Sequence, residues 1–114
     1  MSIIEQMRKA MEKRLTLSNG VTLTIRRPTV LEGSELGSDS LRDAVISASK
    51  FVVDWEGVKT LDLWPGGDGT AAKFDREVFT LWLEDQPKYW VEIMNFISDS
   101  YTSHVKKLKE DSGN

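Results

Sequence analysis

The clearest pattern lies in the C-terminal third. Trp90, Ile93, Met94, Ile97, Tyr101, His104, Val105 and Leu108 recur at spacings of three and four, so one face of a helix is apolar over that stretch. Pro87 falls in its first turn, where a missing N–H does little harm, and Asp85 is the expected cap. The same spacing recurs at the other end of the chain. Ile3, Ile4, Met7, Ala10 and Met11 share one face, and Ser2 with Glu5 reads as a capping box, which predicts an amphipathic helix over about residues 2–13. In the middle, Leu41, Ala44, Val45, Ala48, Val52 and Trp55 form a stripe that opens at Ser40 and stops near Gly57. A shorter helix over 76–84 follows Asp75, with Phe74 and Phe79 placed as a hydrophobic staple and Val78, Phe79 and Trp82 on one side.

Between the first two helices the period changes from 3.6 to 2. Leu15 and Leu17 alternate with polar residues, then Asn19-Gly20, then Val21, Leu23 and Ile25 alternate, predicting strands over about 14–18 and 21–26 joined by a type I′ turn. Pro28 ends the second strand, Thr29 and Glu32 mark a short helical turn over about 29–36, and "GSDS" at 37–40 is a break. The fold class that follows is mainly α with a small N-terminal β-hairpin, an α+β chain with a compact helical domain of about four helices. Its parts are an amphipathic helix at 1–13, one domain at 14–108 with the hairpin at 14–26, and a disordered polar tail at 109–114.

Length and composition narrow the function. A chain of 114 residues supports one modest core. Without cysteine there is no disulfide scaffold, thiolate zinc site or thiol nucleophile, and a reducing compartment is the natural setting. No stretch approaches the ~18 apolar residues of a membrane span. The net charge of −3 conceals an asymmetry: residues 1–30 carry +4, residues 31–100 carry −8 and the remainder +1. An acidic body with a basic end is a poor nucleic-acid binder, because phosphate binding needs clustered positive charge. It is compatible with head-to-tail self-association or a basic partner, and charge alone reads as a solvated surface with no partner.

The chemical motifs are weak. Gly67-Asp68-Gly69-Thr70-Ala71-Ala72 matches G-x-G-x-x-A, but Trp64-Pro65 precedes it instead of a strand and the helix begins only near Arg76. A flexible connection over 57–73 is the expectation, in which replacing Gly66, Gly67 and Gly69 with alanine leaves partner binding nearly intact. His104 is the single histidine and has no cysteine or second histidine to share a metal. The carboxylate pairs Glu84-Asp85, Asp54/Glu56 and Glu35/Asp39 sit at helix ends and in loops. The expectation is no enzyme, with no catalytic, cofactor-binding or metal residue.

What remains is apolar surface on short helices, suited to holding an amphipathic helix of another protein. The candidate interaction residues are Met7 and Met11 on the first helix, Trp55 and Trp64 around the glycine loop, and Phe79 and Trp82 on the 76–84 helix. Tyr89, Trp90, Phe96 and Tyr101 on the last helix complete the set.

The order "NGVTLTIRRPT", "VVDWEGV", a glycine-rich loop and "KFDREVFTLWLEDQPKYWVEIMNFISDSY" resembles the tail assembly chaperones of long-tailed, lambda-like bacteriophages over about residues 15–101. The carrying motifs are Asp54-Trp55-Glu56-Gly57-Val58, Phe74-Asp75-x-Glu77 and Asp85-x-Pro87. The resemblance implies a non-enzymatic factor of the host bacterial cytoplasm, absent from the mature virion. Such a factor coats and solubilises the tape measure protein, helps recruit tail tube protein (in a frameshifted longer form) and self-associates. The helix at 2–13 and the long 57–73 loop depart from the family pattern. The alternative from a different class is a small regulatory or adaptor module, antitoxin-like, using the basic N-terminal segment on DNA or protein.

Overall fold

The computed structural model describes residues 2–34 and 41–112. The elements run α1 (Ile3–Ala10), β1 (Glu12–Thr16), β2 (Thr22–Arg26), α2 (Val30–Gly33), α3 (Leu41–Phe51), β3 (Val52–Glu56), a 3-10 turn at Thr60–Asp62, α4 (Arg76–Glu84) and α5 (Pro87–Asp111). The predicted α+β class holds: among the described residues, five helices accompany one small antiparallel sheet. The "GSDS" break, the Ser40 cap and the Glu35/Asp39 pair lie outside the described residues.

The sheet has three strands in the order β1-β2-β3, one more than the hairpin expected. Residues Val52–Glu56, assigned by spacing to the end of a helix, are extended. The stripe Ala48, Val52, Trp55 fits a helix, yet Val52 and Val53 are β-branched and favour the strand. An isolated hairpin is marginal in water, and β2 offers a free edge that β3 fills, pairing Leu23 with Trp55 and Ile25 with Val52 across a register irregularity at Thr24/Ile25. Helix α3 therefore passes into β3 without a loop.

The hairpin turn also differs from expectation. Only glycines have positive φ among the described residues, so Asn19 cannot be in a type I′ turn. Gly20 alone takes φ 91°, the Gly20 N–H donates to Leu17 O at 2.9 Å and the Leu17 N–H to Val21 O at 2.7 Å. That is a three-residue loop ending in a left-handed glycine. The Asn19 side chain accepts from the Val21 N–H at 3.0 Å, which holds Asn19 in its turn conformation.

Local caps follow the sequence more closely. Asp75 Oδ1 accepts from the Glu77 and Val78 N–H groups, and the Phe74 and Phe79 rings meet at 5.9 Å, so cap and staple both form. Asp85 instead closes α4, and α5 starts from Gln86 with no side-chain cap. Helix α5 continues through Asp111, beyond the expected start of the tail at 109.

The core lies between the inner face of the sheet (Leu23, Ile25, Val52, Trp55) and helices α3, α4 and α5, which contribute Ala48, Phe51, Phe79, Leu83, Tyr89, Ile93 and Ile97. The molecule is flat and extended, 57 × 38 × 21 Å. No side chain of α1 is buried.

One ion pair ties three elements together. Arg26 Nη1 and Nη2 donate to Glu32 Oε1 and Oε2 at 2.7 and 3.0 Å, Lys50 lies 3.4 Å from Oε2, and the Thr29–Glu32 capping box forms in both directions. The Arg26 hydrogen bonds, followed by that from the Thr29 backbone, hold the Glu32 carboxyl down to about 2 against burial, from an ordinary value near 4.5. A carboxylate depressed in the folded state stabilises fully above its unfolded value and loses that contribution as pH falls through its folded value. Chemical denaturation of the wild type should therefore show about 1–2 kcal/mol of stability lost between pH 4.5 and pH 2, after solvent screening. Glu32→Gln should flatten that window.

Candidate functional site

Helix α4 is a ridge with an opening on each side. Phe79 and Leu83 point into the core. The 100° step per residue then turns Val78, Leu81 and Asp85 to one flank and Thr80 and Glu84 to the other. The first flank forms a groove of about 510 Å³ with the loop segment Asp62–Trp64, floored by Leu63 and Trp82. Trp64 is 51% exposed there, Leu81 71% and Val78 39%, and Asp62 and Asp85 stand on the rim. The second flank, with Val45, Ile46 and Ser49 of α3 and Trp90 of α5, encloses about 490 Å³.

The loop that presents Trp64 is not a flexible connection. Thr60 N–H donates to Thr70 O at 3.0 Å, Leu61 N–H to Asp68 O at 3.0 Å and Ala72 N–H to Val58 O at 2.8 Å, so the two limbs run back antiparallel. The Asp68 carboxylate accepts from Thr70 and Thr60, and those hydrogen bonds, the Thr70 hydroxyl first, hold it below its ordinary pKa. Gly67 packs directly on the Thr60 backbone: a Cβ there would stand 2.3 Å from the Thr60 carbonyl carbon. Gly67→Ala should accordingly cost about 1–3 kcal/mol by overpacking, seen as a lowered Tm with altered Trp fluorescence. Gly69, whose added Cβ meets nothing within 4 Å, should accept alanine within about 0.5 kcal/mol. The expected flexible connection is instead pinned at Gly67.

The same geometry differs from a phosphate cradle. Gly67 folds against Thr60, and the Glu77 and Val78 N–H groups in the first turn of α4 are already taken by Asp75 Oδ1. Among the described residues no three His, Asp or Glu side chains group to hold a metal. No described helix is long and apolar enough to cross a membrane.

The ten residues expected at an interaction surface separate into three groups. Trp55, Phe79 and Tyr89 are buried and are corrected to core: Trp55 donates from Nε1 to Ala72 O at 2.8 Å and meets Phe74, Phe79 and Trp82 edge-on at 5.6–6.2 Å. Aromatic mass and helical spacing look the same in a core and at an interface, which is why sequence alone joined them. Trp82, Trp90, Phe96, Tyr101 and Met11 are half-buried. Trp82 stacks on Tyr89 at 5.7 Å, Trp90 donates from Nε1 to Leu83 O at 2.6 Å, and Tyr101 packs against Gly33. Trp64 and Met7 are open to solvent, but only Trp64 joins the groove; Met7 stands apart on α1, 62% exposed beside Ile3 and Ile4.

Sequence reasoning missed Leu81. Its signal was present: 100° steps put it opposite Phe79 and Leu83, so it is an apolar residue on the outer face of a helix whose inner face was already filled. Neither a protein-family model, nor a curated protein, nor a solved structure matches this chain.

Proposed function

We propose that this chain is a non-catalytic binding protein, a phage tail assembly chaperone that holds a helical segment of the tape measure protein in the groove beside α4. The observation that carries the reading is the groove itself: Trp64, Val78 and Leu81 stand open together instead of closing into the core. Contiguous exposed apolar surface rimmed by polar groups is the usual mark of a protein-binding site. Asp62 and Asp85 on the rim favour an amphipathic helix with basic flanks. The resemblance over residues 15–101 supplies the partner's identity, and it brings tail tube recruitment, self-association, the host cytoplasm and absence from the mature virion as parts of the same proposal.

The chain should keep a co-expressed tape measure protein soluble and co-purify with it. Unchanged solubility of that protein, with this chain folded and abundant, overturns the reading.

A further inference from the structure

Sharing no residue with the α4 groove, β1, the segment after β2 and the last turns of α5 enclose a cleft of about 370 Å³. Three cations meet there: Lys13 of β1, Arg27 just after β2 and Lys107 of α5. Among the described residues none of them forms an ion pair, whereas the adjacent Arg26 is held by Glu32 through both nitrogens. Arg27 is half-buried, and its guanidinium donates only to the carbonyl of Pro28, at 3.2 Å. On α5, Ser100, Ser103, His104 and Lys107 follow one another at the three- and four-residue spacing of a single face, so that a polar stripe continues where the apolar stripe through Ile93 and Ile97 ends. Ser100 is buried as a residue, 8% exposed. Ala10 and Leu108 form an apolar wall and Asp111 the one acidic edge.

The local field is positive. Burial first, then Arg27 and Lys107, lower the proton affinity of His104. Burial and Arg26 lower that of Arg27. Like charges from separate elements, with a guanidinium fork and serine hydroxyls beside them, match the donor set that recognises a tetrahedral oxyanion. The volume is that of a small-ligand site.

We propose that this cleft binds a small phosphate anion, free or as a monoester, held by Arg27 and Lys107 with Lys13 and the serines completing the shell. The site does not depend on the chaperone reading, since none of its residues lines the α4 groove.

His104 is the only histidine, so its imidazole proton resonances report the cleft without ambiguity. Inorganic phosphate titrated into the full chain at constant ionic strength should shift those resonances saturably. It should also raise the apparent pKa of His104, which faces Lys13, Arg27, Lys107 and Asp111, because a bound anion favours the imidazolium. Arg27→Gln and Lys107→Gln should each weaken binding about tenfold or more, while Arg42→Gln, which lines a different opening, leaves it unchanged. Lys107 is exposed on α5, so its variant tests the site even where loss of Arg27 disturbs folding. Glycerol phosphate binding more tightly than inorganic phosphate identifies a monoester as the ligand, and equal affinity identifies the free anion. A linear shift that Lys107→Gln leaves unaltered overturns the proposal. Displacement of phosphate by a short DNA duplex at far lower concentration overturns it in favour of a nucleic-acid surface.

Discussion

Trp55→Ala is expected to cost about 3–5 kcal/mol, the range for deleting a large buried aromatic side chain. A domain of this size has about 5–15 kcal/mol in total, so the variant should sit at the edge of unfolding at 37 °C. Three contributions are lost together. The indole fills the space between the sheet and α4, where it is the edge partner of Phe74, Phe79 and Trp82. Its cross-strand neighbour Leu23, fully buried, loses its cover. The Ala72 carbonyl loses the Nε1–H donor that fastens the end of the 58–72 loop to the core. Urea denaturation measures the loss, and Trp55→Phe should recover much of the packing but not the hydrogen bond. A Trp55→Ala protein with wild-type stability and no partner binding would return Trp55 to the interaction surface.

The second large effect is on binding. Leu81→Gln and Trp64→Ala should each weaken capture of a helical partner about tenfold to a hundredfold, with the pair nearly abolishing it. Stability should change by only about 0.5 kcal/mol for Leu81→Gln, because most of its side chain is already in water and glutamine suits a helix as well. Pull-down of the tape measure protein beside thermal melts separates the two readouts. Full binding by the double variant would remove the α4 groove from the proposal and leave the opening beside Ile46 and Trp90, or the open face of α1, as the next surface to mutate. The acidic rim predicts salt dependence as well: weaker capture at high ionic strength, relieved in Asp62→Asn/Asp85→Asn.

The elements legible in the sequence are those whose determinants are local. The Asp75 cap, the Phe74–Phe79 staple and the Thr29–Glu32 box each need only residues within five positions, and each forms as read. The α5 stripe was legible because a long helix repeats its signal over many turns. Val52–Glu56 was not, since a helical spacing there competes with β-branching and the winner is set by the open edge of β2, nearly thirty residues earlier. The 58–72 loop was misread for a similar reason. Its glycines signal irregular backbone, but whether that backbone is loose or pinned depends on Gly67 meeting Thr60 across the loop.

The candidate site shows the same division. Nothing in the spacing of Trp55, Phe79 and Tyr89 distinguishes them from Trp64; Leu81 alone was separable, by its place opposite Phe79 on α4. The arrangement of sheet against helices buries the first three and leaves the last two facing solvent across one groove.

By itself the amino-acid sequence determined the capped starts of α2 and α4, the hairpin and the α+β class, because hydrogen bonds and apolar repeats along a few turns are sufficient for them. Only the tertiary structure decided which aromatic rings are core, where the third strand lies, and that Lys13, Arg27 and Lys107 share a cleft. Those outcomes depend on contacts between segments far apart in the chain, and no local pattern encodes which distant face will cover a given side chain.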